Sequence, residues 1–304
     1  MKRILITGGT GTIGSRLIEM LQQDKRETEI RVLSRSKNPV KNATVFSWSI
    51  EDDFLEEGAL TDLDVLVHLS GFPVSEKWTQ RNKKLIRTSR IDALDLIQKK
   101  LGEQKIPNLV SASGVSIYGT KTSDHIFTEN DKPNNLDQDF LAQVSLDWEA
   151  AAHRFGELTE QTYILRTPVV LSESGGALEK MTKPVKYGIG SPLGTGKQWM
   201  PWVHIDDLCR AYINCIFNEI PAGTYNICAP DMPNNTEFTQ KIAKVLDKSL
   251  WAPKVPAFAL KLLFGEMAQI VLEGSRVDGT KFIENGGKYE FNDLESALQS
   301  LLKN

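Results

Sequence analysis

The feature that most constrains this chain is a glycine-rich turn between a short apolar strand and an amphipathic helix. The strand ends at Thr7, glycines follow at positions 8, 11 and 14, and the helix carries apolar residues at positions 13, 17, 18 and 21. Gly8 allows a tight turn, Gly11 lets a pyrophosphate approach the backbone, and Gly14 lets the helix pack close to the strand. Because a helix N-terminus presents unpaired N–H groups to an anion, this segment predicts a dinucleotide site.

Strand-like and helical segments alternate through the first half of the chain. After the first helix, strands are predicted at 29–35, 43–48, 63–71, 108–114 and 162–166, and helices at about 80–100 and 143–155. The run at 63–71 is almost continuously apolar, as a sheet that is covered on both faces requires. The alternation predicts an α/β fold, a Rossmann-type doubly wound parallel sheet with a smaller C-terminal substrate lobe.

The alternation becomes irregular beyond Pro168, where the chain is rich in glycine. We therefore expect residues 1–170 to form the nucleotide-binding Rossmann domain, with residues 203–230 returning to it through a helix and a strand. Residues 171–202 and 231–304 are expected to form the smaller substrate-binding lobe.

Composition argues against several classes of function. The 304 residues are 40% hydrophobic and 25% charged, which suits a chain with a substantial core. A net charge of −3 without a basic block argues against nucleic acid or an anionic membrane as the main partner. Cys209, Cys215 and Cys228 lack metal-ligand spacing, so we expect reduced thiols and no metal site. With no signal peptide and no run of about twenty apolar residues, we expect a cytoplasmic protein.

Several motifs together resemble the extended short-chain dehydrogenases/reductases. They are the glycine turn, the strand ending Leu69-Ser70-Gly71, the stretch from Ser111 to Gly119, and His204-Ile-Asp206-Asp207. Further segments resemble the narrower branch of epimerase family proteins, in which the C-terminal segment is a domain of unknown function: 78–90, 147–149, 165–171, 194–199 and 274–277. The resemblance implies an NAD(P)-binding Rossmann core, a small substrate lobe and a tendency to form homodimers. It implies no particular substrate.

The end of the second predicted strand distinguishes between NAD and NADP. An NAD site commonly has Asp or Glu there, which binds the ribose 2′-hydroxyl. Here the position reads Ser34-Arg35-Ser36-Lys37, with no carboxylate. An arginine and a hydroxyl suit a 2′-phosphate, which an acidic residue would repel. The pattern favours NADP over NAD, and a solvated strand end that binds nothing is the alternative interpretation.

The resemblance also implies contacts along the cofactor. Leu69, Ser70 and Gly71 would lie along the adenosine and pyrophosphate, and Pro168 would lie near the nicotinamide. Together with the turn and the strand ends, the predicted cofactor-binding residues are Gly8, Thr10, Gly11, Thr12, Ile13, Gly14, Ser34, Arg35, Leu69, Ser70, Gly71, Ser111 and Pro168.

The usual catalytic pair of the extended family is absent from this chain. Relatives carry Tyr-x-x-x-Lys on the helix after the fifth strand, where the tyrosine acts as an acid or base and the lysine lowers its pKa. Aligned on Glu149, which follows the lysine by four residues in relatives, these positions are Leu141 and Ser145. Neither side chain can perform that chemistry. Ser113 and Tyr118 are therefore the candidate catalytic residues, with strand capping and packing as alternative roles.

A substrate pocket is predicted between the two lobes, lined by Phe72, Trp78, Lys197 and Trp199. Such a set suits a mid-sized ligand with an apolar body and a polar or acidic group. Met200 stands where sugar-nucleotide epimerases usually carry an arginine that binds the substrate diphosphate, which argues against such substrates. The segment containing His204 is predicted to be structural, because a serine hydrolase would need a Gly-x-Ser-x-Gly elbow and the chain has none.

Two functions of different class follow from these patterns. The first is an NADP-dependent oxidoreductase or epimerase-like enzyme of altered mechanism, acting on an unidentified small molecule. The alternative is a dinucleotide-binding regulator with little or no turnover, such as a factor linked to cell division. The intact phosphate turn and the apparent pocket favour the enzyme, whereas the missing Tyr/Lys pair favours the regulator.

Overall fold

A computed structural model describes residues 1–132, 139–173 and 175–303 of the protein. The strands are β1 Lys2–Thr7, β2 Thr28–Ser34, β3 Thr44–Ser49, β4 Phe54–Leu55, β5 Val65–His68, β6 Ile106–Gly114, β7 Ile126–Phe127, β8 Thr159–Thr167, β9 Val169–Leu171, β10 Trp202–His204, β11 Gly223–Asn226 and β12 Arg276–Val277. The helices are α1 Thr12–Gln23, α2 Gln80–Leu101, α3 Phe140–Phe155, α4 Gly176–Lys186, α5 Ile205–Ile216, α6 Asn235–Val245, α7 Ala257–Phe264, α8 Gln269–Leu272, α9 Thr280–Glu284 and α10 Leu294–Leu302. Short 3₁₀ turns span Val115–Tyr118, Gly156–Leu158 and Gly265–Ala268.

The predicted α/β architecture is confirmed by an eight-stranded sheet with the order β11-β8-β6-β5-β1-β2-β3-β4. All neighbouring strands in this sheet pair in parallel except β3 and β4, which are antiparallel. The side chains of residues 4–6 and 65–67, at the centre of the sheet, are fully buried. Helix α1 packs against α5, and α2 packs against α3, so helices cover the apolar strands.

The observed boundaries differ from the predicted ones where a polar side chain ends or starts an element. Strand β5 ends at His68, three residues earlier than predicted. Helix α3 begins at Phe140 because the side chain of Asp139 accepts a hydrogen bond from the backbone N–H of Ala142. The short pairs β9–β10 and β7–β12 were not predicted, because two- and three-residue strands leave no periodicity to detect.

The chain returns to the main sheet after the glycine-rich segment. Strand β11 pairs with β8, and α5 lies against α1. A second apolar cluster lies in the C-terminal part, where Trp202 and Phe238 are fully buried with Leu294. Across the described ranges, no helix is both long and apolar enough to cross a bilayer.

A buried histidine joins the central strands at the edge where the site lies. His68 is fully buried, with Nε2 3.0 Å from the Arg90 carbonyl oxygen and Nδ1 2.9 Å from the Thr7 hydroxyl. A carbonyl can only accept, so Nε2 carries the proton and Nδ1 accepts from Thr7. The Thr7 oxygen in turn accepts from the backbone N–H groups of Leu69 and Ser70. Burial lowers the pKa of His68 to about 4, so the ring is neutral at physiological pH.

We predict that His68 makes the protein less stable in mild acid. Below pH about 6.5 the unfolded chain binds a proton that the native imidazole cannot take up until pH about 4. The free energy of unfolding should therefore fall by about 3 kcal/mol across that interval because of this residue. Urea unfolding at a series of pH values, for the wild type and His68→Gln, measures the effect.

The carboxylates titrate in both proteins. The difference between the two stability curves therefore reports the contribution of His68 alone. Although His68→Gln is expected to be less stable at pH 8, its stability should decline less than that of the wild type on acidification. Parallel curves for the two proteins from pH 8 to pH 4 would contradict the prediction.

Candidate functional site

The glycine turn packs so tightly that two of its residues have no room for a side chain. A Cβ on Gly8, which has a φ of +72°, would lie 2.8 Å from the carbonyl carbon of Leu69. A Cβ on Gly14 would lie 2.3 Å from the carbonyl oxygen of Gly8. Gly14 therefore lets α1 start directly against the end of β1, as predicted.

The turn presents backbone at the start of α1, where an anion would bind. Thr10, Gly11 and Thr12 are exposed. The N-cap residue is Gly11, which has no side chain to bond the first N–H groups of the helix. The first turn of α1 carries no acidic residue that would compete for its N–H groups. A 12-residue helix with an open, uncharged first turn fits the pyrophosphate of a dinucleotide.

The loop after β5 forms the neighbouring wall of this cleft. A Cβ on Gly71 would lie 2.7 Å from Cζ of Arg90, so the loop rests directly on that guanidinium. Arg90 donates to the carbonyl oxygens of Phe72 and Ile86 and lies 5.0 Å from the ring centre of Trp148. Burial lowers the pKa of Arg90 to about 10. Arg90 thus holds the loop at 69–71 against α2.

The residues that follow β2 present two cations, Arg35 and Lys37, to solvent. Ser34 is buried, and its hydroxyl accepts a hydrogen bond from the backbone N–H of Ser36 at 3.2 Å. Arg35 and Lys37 are exposed, and no carboxylate occurs between residues 34 and 50. This charge pattern suits a phosphate at the strand end.

Three further predicted cofactor residues lie in different settings. Ile13 is half-buried at the start of α1 and packs against the main core. Ser111 lies inside the sheet, where its hydroxyl donates to the carbonyl oxygen of Ala112 at 3.1 Å. Pro168 is half-buried between β8 and β9. Direct contact of Ser111 and Pro168 with a cofactor stays a prediction.

Ser113 belongs to a buried ionic network beneath the cleft. Its hydroxyl donates to Glu149 at 2.7 Å, and Glu149 forms a two-point ion pair with Arg166, with both distances 2.8 Å. Ser113 is 2% exposed. Burial opposes the charged form of Arg166, but the ion pair with Glu149 holds the pKa of Arg166 above the usual range. The network joins β6, α3 and β8, so Ser113 has a structural partner.

Tyr118 is part of the same network and is 5% exposed. Its hydroxyl donates to the Asn226 side chain at 2.8 Å and accepts from Arg166 at 2.6 Å. Burial raises the pKa of Tyr118 well above its usual value, and the Arg166 charge offsets this only in part. A tyrosine in this environment does not serve as a base at neutral pH. Both hydroxyls are buried and bonded within the protein, and a catalytic role for Ser113 or Tyr118 stays a prediction.

A pair of serines that the sequence reasoning missed lies at the carboxyl end of β6. The hydroxyl oxygens of Ser116 and Ser145 are 2.8 Å apart, and Ser145 occupies the position of the absent lysine. A Cβ on Gly114 would lie 3.0 Å from the Ser116 hydroxyl, so the backbone approaches the pair closely. Ser116 is half-buried and Ser145 is buried. Only the packing of the turn Val115–Tyr118 against α3 brings the two together, so spacing could not reveal them.

The four predicted pocket residues fall into two groups. Half-buried Phe72 and Trp78 lie in the loop before α2, and Trp78 contacts the Phe140 ring edge-on, with centroids 5.0 Å apart. Exposed Lys197 and half-buried Trp199 lie before β10, where the Trp199 indole N–H donates to the carbonyl oxygen of Ser123. The first group contacts the start of α3, and the second contacts the segment that follows β6.

The C-terminal segment crosses this edge of the sheet. Lys83 at the start of α2 pairs with Glu266, and the Gln269 side chain donates to the Thr120 hydroxyl. The Arg276 guanidinium lies 4.6 Å from the Trp199 ring centre. Residues 266–276 therefore lie across the carboxyl edge of the sheet.

The His204 segment has the structural role that the sequence predicts. His204 caps α5 by accepting from the backbone N–H of Asp206 and stacks on Phe291, with ring centroids 3.9 Å apart. Fully buried Asp207 accepts from the backbone N–H groups of Glu290 and Phe291. These bonds join α5 to the C-terminal segment. In the part of the chain that the structure describes, no three acidic, histidine or cysteine side chains cluster as metal ligands.

Comparison with known proteins identifies the family. Residues 4–228 match the NAD dependent epimerase/dehydratase family, and residues 255–301 match a domain of unknown function, DUF1731. An epimerase family protein of Staphylococcus haemolyticus is 34% identical over 310 residues, which cover 99% of each chain. The chloroplastic SDR39U1 homolog of Arabidopsis thaliana is 34% identical over 99% of this chain and 86% of its own length.

Solved structures agree with this assignment. The human epimerase family protein SDR39U1 (isoform 2), crystallised with NADPH, superposes with a TM-score of 0.86 and 29% identity, covering 99% of both chains. A nucleoside-diphosphate sugar epimerase from Corynebacterium glutamicum has a TM-score of 0.77 and 27% identity, covering 99% of this chain and 58% of its own. The chain therefore belongs to the NAD-dependent epimerase/dehydratase family of extended short-chain dehydrogenases/reductases, in the branch that carries the DUF1731 segment at its C-terminal end.

Proposed function

We propose that this protein binds NADP(H) in the glycine turn and acts as an oxidoreductase or epimerase-like enzyme on a small molecule. The observation that carries the proposal is the close packing at Gly14, where a side chain would collide with the carbonyl oxygen of Gly8. Because no side chain stands there, a pyrophosphate can approach the backbone at the start of α1. The human relative that was crystallised with NADPH supports the choice of cofactor. The family match to NAD-dependent epimerases supports the reaction class.

Arg35 is the residue that we expect to select NADP. It is exposed at the end of β2, and the backbone after it is held by the bond from the Ser36 N–H to the Ser34 hydroxyl. A guanidinium binds a 2′-phosphate through two parallel charge-assisted bonds. Lys37 adds a second positive charge two residues later. NAD is the less favoured cofactor, because it has no 2′-phosphate for Arg35 to bind.

The reaction must proceed without the tyrosine and lysine of typical relatives. When bound, NADPH supplies a hydride for a carbonyl carbon. We propose that the half-buried Ser116 hydroxyl, positioned by its hydrogen bond to buried Ser145, orients and polarises the carbonyl oxygen. Neither serine is an acid of useful pKa, so the proton would come from water in the cleft and turnover would be slow. Phe72 and Trp78 supply apolar wall for the body of the substrate.

A non-catalytic regulator that binds the same cofactor is the alternative function. The observation that favours it is the apolar Leu141 at the position of the family tyrosine, together with the burial of Tyr118. The two functions share the cofactor site and differ in hydride transfer. We also propose a reducing, cytoplasmic compartment, because Cys209, Cys215 and Cys228 are free and buried.

We predict that Arg35→Asp reverses the cofactor preference. The substitution removes the 2′-phosphate partner and adds a repulsive charge, so NADPH binding should weaken by roughly tenfold to a hundredfold. NADH binding should be unchanged or tighter, because a carboxylate can accept from the ribose 2′-hydroxyl. Fluorescence titration of both reduced cofactors with the wild type and the variant measures the ratio.

Lys41→Asp is the matched control, since it changes the charge equally at an exposed position further along the same segment. An unchanged NADPH/NADH ratio in Arg35→Asp would refute the role of Arg35. A wild-type protein that binds neither cofactor would refute both proposed functions.

We predict that the serine pair, and not the buried tyrosine, determines turnover. NADPH oxidation is followed with a panel of aldehydes, ketones and quinones for the wild type, for the double variant Ser116→Ala/Ser145→Ala and for Tyr118→Phe. Loss of the hydroxyls should lower the rate by roughly a hundredfold with an unchanged Kd for NADPH. Tyr118→Phe should alter stability more than rate, because its hydroxyl bonds only to Arg166 and Asn226.

The outcomes separate the two proposed functions. Binding of NADPH without oxidation by any compound of the panel would support the regulator. A double serine variant that retains full turnover, beside an inactive but folded Tyr118→Phe, would return the catalytic role to Tyr118.

A further inference from the structure

The C-terminal lobe exposes a group of large apolar side chains that its core does not use. Leu262 is 88% exposed, Phe258 75%, and Trp251 and Tyr187 74% each. Leu263 and Ile189 are also exposed. These six side chains, with Lys186, Lys254 and Lys261, are called here the lysine–aromatic face.

The helix at the centre of this face is apolar on nearly all sides. Helix α7 has the sequence AFALKLLF, and Leu260 is its one buried residue. Phe258 and Leu262 are four residues apart and so share one side of the helix, with Lys261 beside them. Leu260 packs inward while these side chains point to solvent. Burial within the chain therefore does not account for the composition of α7.

Two separate parts of the chain contribute to the face, and hydrogen bonds hold them side by side. The N–H of Gly194 donates to the Val255 carbonyl at 2.9 Å, and the N–H of Val255 donates to the Pro192 carbonyl at 3.0 Å. The Ser191 hydroxyl donates to the Pro253 carbonyl at 2.6 Å. The loop that carries Tyr187 and Ile189 and the segment before α7 are consequently fixed against each other.

Both parts carry only positive charge. Residues 180–197 contain four lysines and residues 248–265 contain three, and neither range contains an acidic residue. All seven lysines are exposed. Glu179, Asp247 and Glu266 border the two ranges; Glu266 is paired with Lys83 and Asp247 with Lys303. The net charge of −3, which by itself argues against an anionic membrane partner, does not reveal this cluster, because it forms only when the tertiary structure brings the two lysine-rich ranges together.

We infer that the lysine–aromatic face docks the protein on an anionic lipid surface. Exposed leucine and phenylalanine enter the boundary of the acyl chains, tryptophan and tyrosine suit the headgroup level, and lysines pair with anionic headgroups. A second copy of this chain is the weaker candidate, because a two-fold contact would bring two patches of the same positive charge together. The inference is independent of the cofactor and of turnover.

Sedimentation of the full chain with vesicles tests the inference. We expect the protein to bind vesicles of mixed phosphatidylcholine and phosphatidylglycerol and to bind phosphatidylcholine alone far more weakly. Salt at about 1 M, where the screening length is only about 3 Å, should release much of the bound protein. Lys186→Glu/Lys261→Glu should reduce partition by at least roughly twenty-five-fold, since each lysine near an anionic surface contributes about fivefold.

A second pair of variants tests the apolar contribution. Leu262→Ser/Leu263→Ser alters two exposed side chains, so the fold should be retained, and binding should fall by about tenfold or more. The matched control is Lys25→Glu/Lys105→Glu, which makes the same charge change at exposed sites near the amino ends of β2 and β6. The control should lower binding much less than Lys186→Glu/Lys261→Glu.

Several results would overturn the inference. One is the absence of binding to either vesicle, and another is equal binding to both with no effect of salt. A third is a dimer in solution that Leu262→Ser/Leu263→Ser dissociates, combined with no vesicle binding, which would assign the face to contacts between copies. Equal loss in the control and the lysine variant would show that only net charge matters.

Discussion

The close approach of α1 to the end of β1 is the constraint on which the rest of this structure depends. A side chain at Gly14 would collide with the Gly8 carbonyl oxygen, and a side chain at Gly8 would collide with the loop after β5. The end of β1, the start of α1 and the loop after β5 therefore meet with their backbones in direct contact. The same meeting point exposes the first N–H groups of α1, so the packing that forms the core also creates the anion site.

Polar side chains at the carboxyl edge of the sheet differ in how deeply they are buried. His68 and the ion pair between Glu149 and Arg166 are buried with their hydrogen-bonding partners inside the protein. Buried charges are tolerated only when they are paired in this way. Ser113 and Tyr118 belong to that buried group, whereas Ser116 is half-buried and bonds to Ser145, which stands at the position of the family lysine. Because Leu141 and Ser145 stand at the positions of the tyrosine and lysine of relatives, the groups proposed here for the reaction are hydroxyls.

The C-terminal lobe combines attachment to the core with an outward apolar surface. Asp207 ties the segment at 290–291 to α5, and Glu266 reaches Lys83 at the start of α2. Between these attachments, α7 exposes Phe258, Leu262 and Leu263 to solvent. This part of the chain therefore contacts the carboxyl edge of the sheet, and elsewhere on its surface it exposes the lysine–aromatic face. A net negative chain can carry such a face because the lysines are clustered and the carboxylates lie elsewhere.

The sequence by itself determined the α/β fold, the glycine turn and the cationic end of β2, because each depends on residues that are adjacent in the chain. Periodicity and glycine spacing report local conformation, and the absence of a carboxylate near Arg35 is visible without any structure. Only the tertiary structure decided which hydroxyls are buried, because Ser113 and Tyr118 meet their partners Glu149, Arg166 and Asn226 across three strands and a helix. The serine pair and the lysine–aromatic face likewise join residues from distant parts of the chain. Their contacts arise from packing, which leaves no local pattern in the sequence.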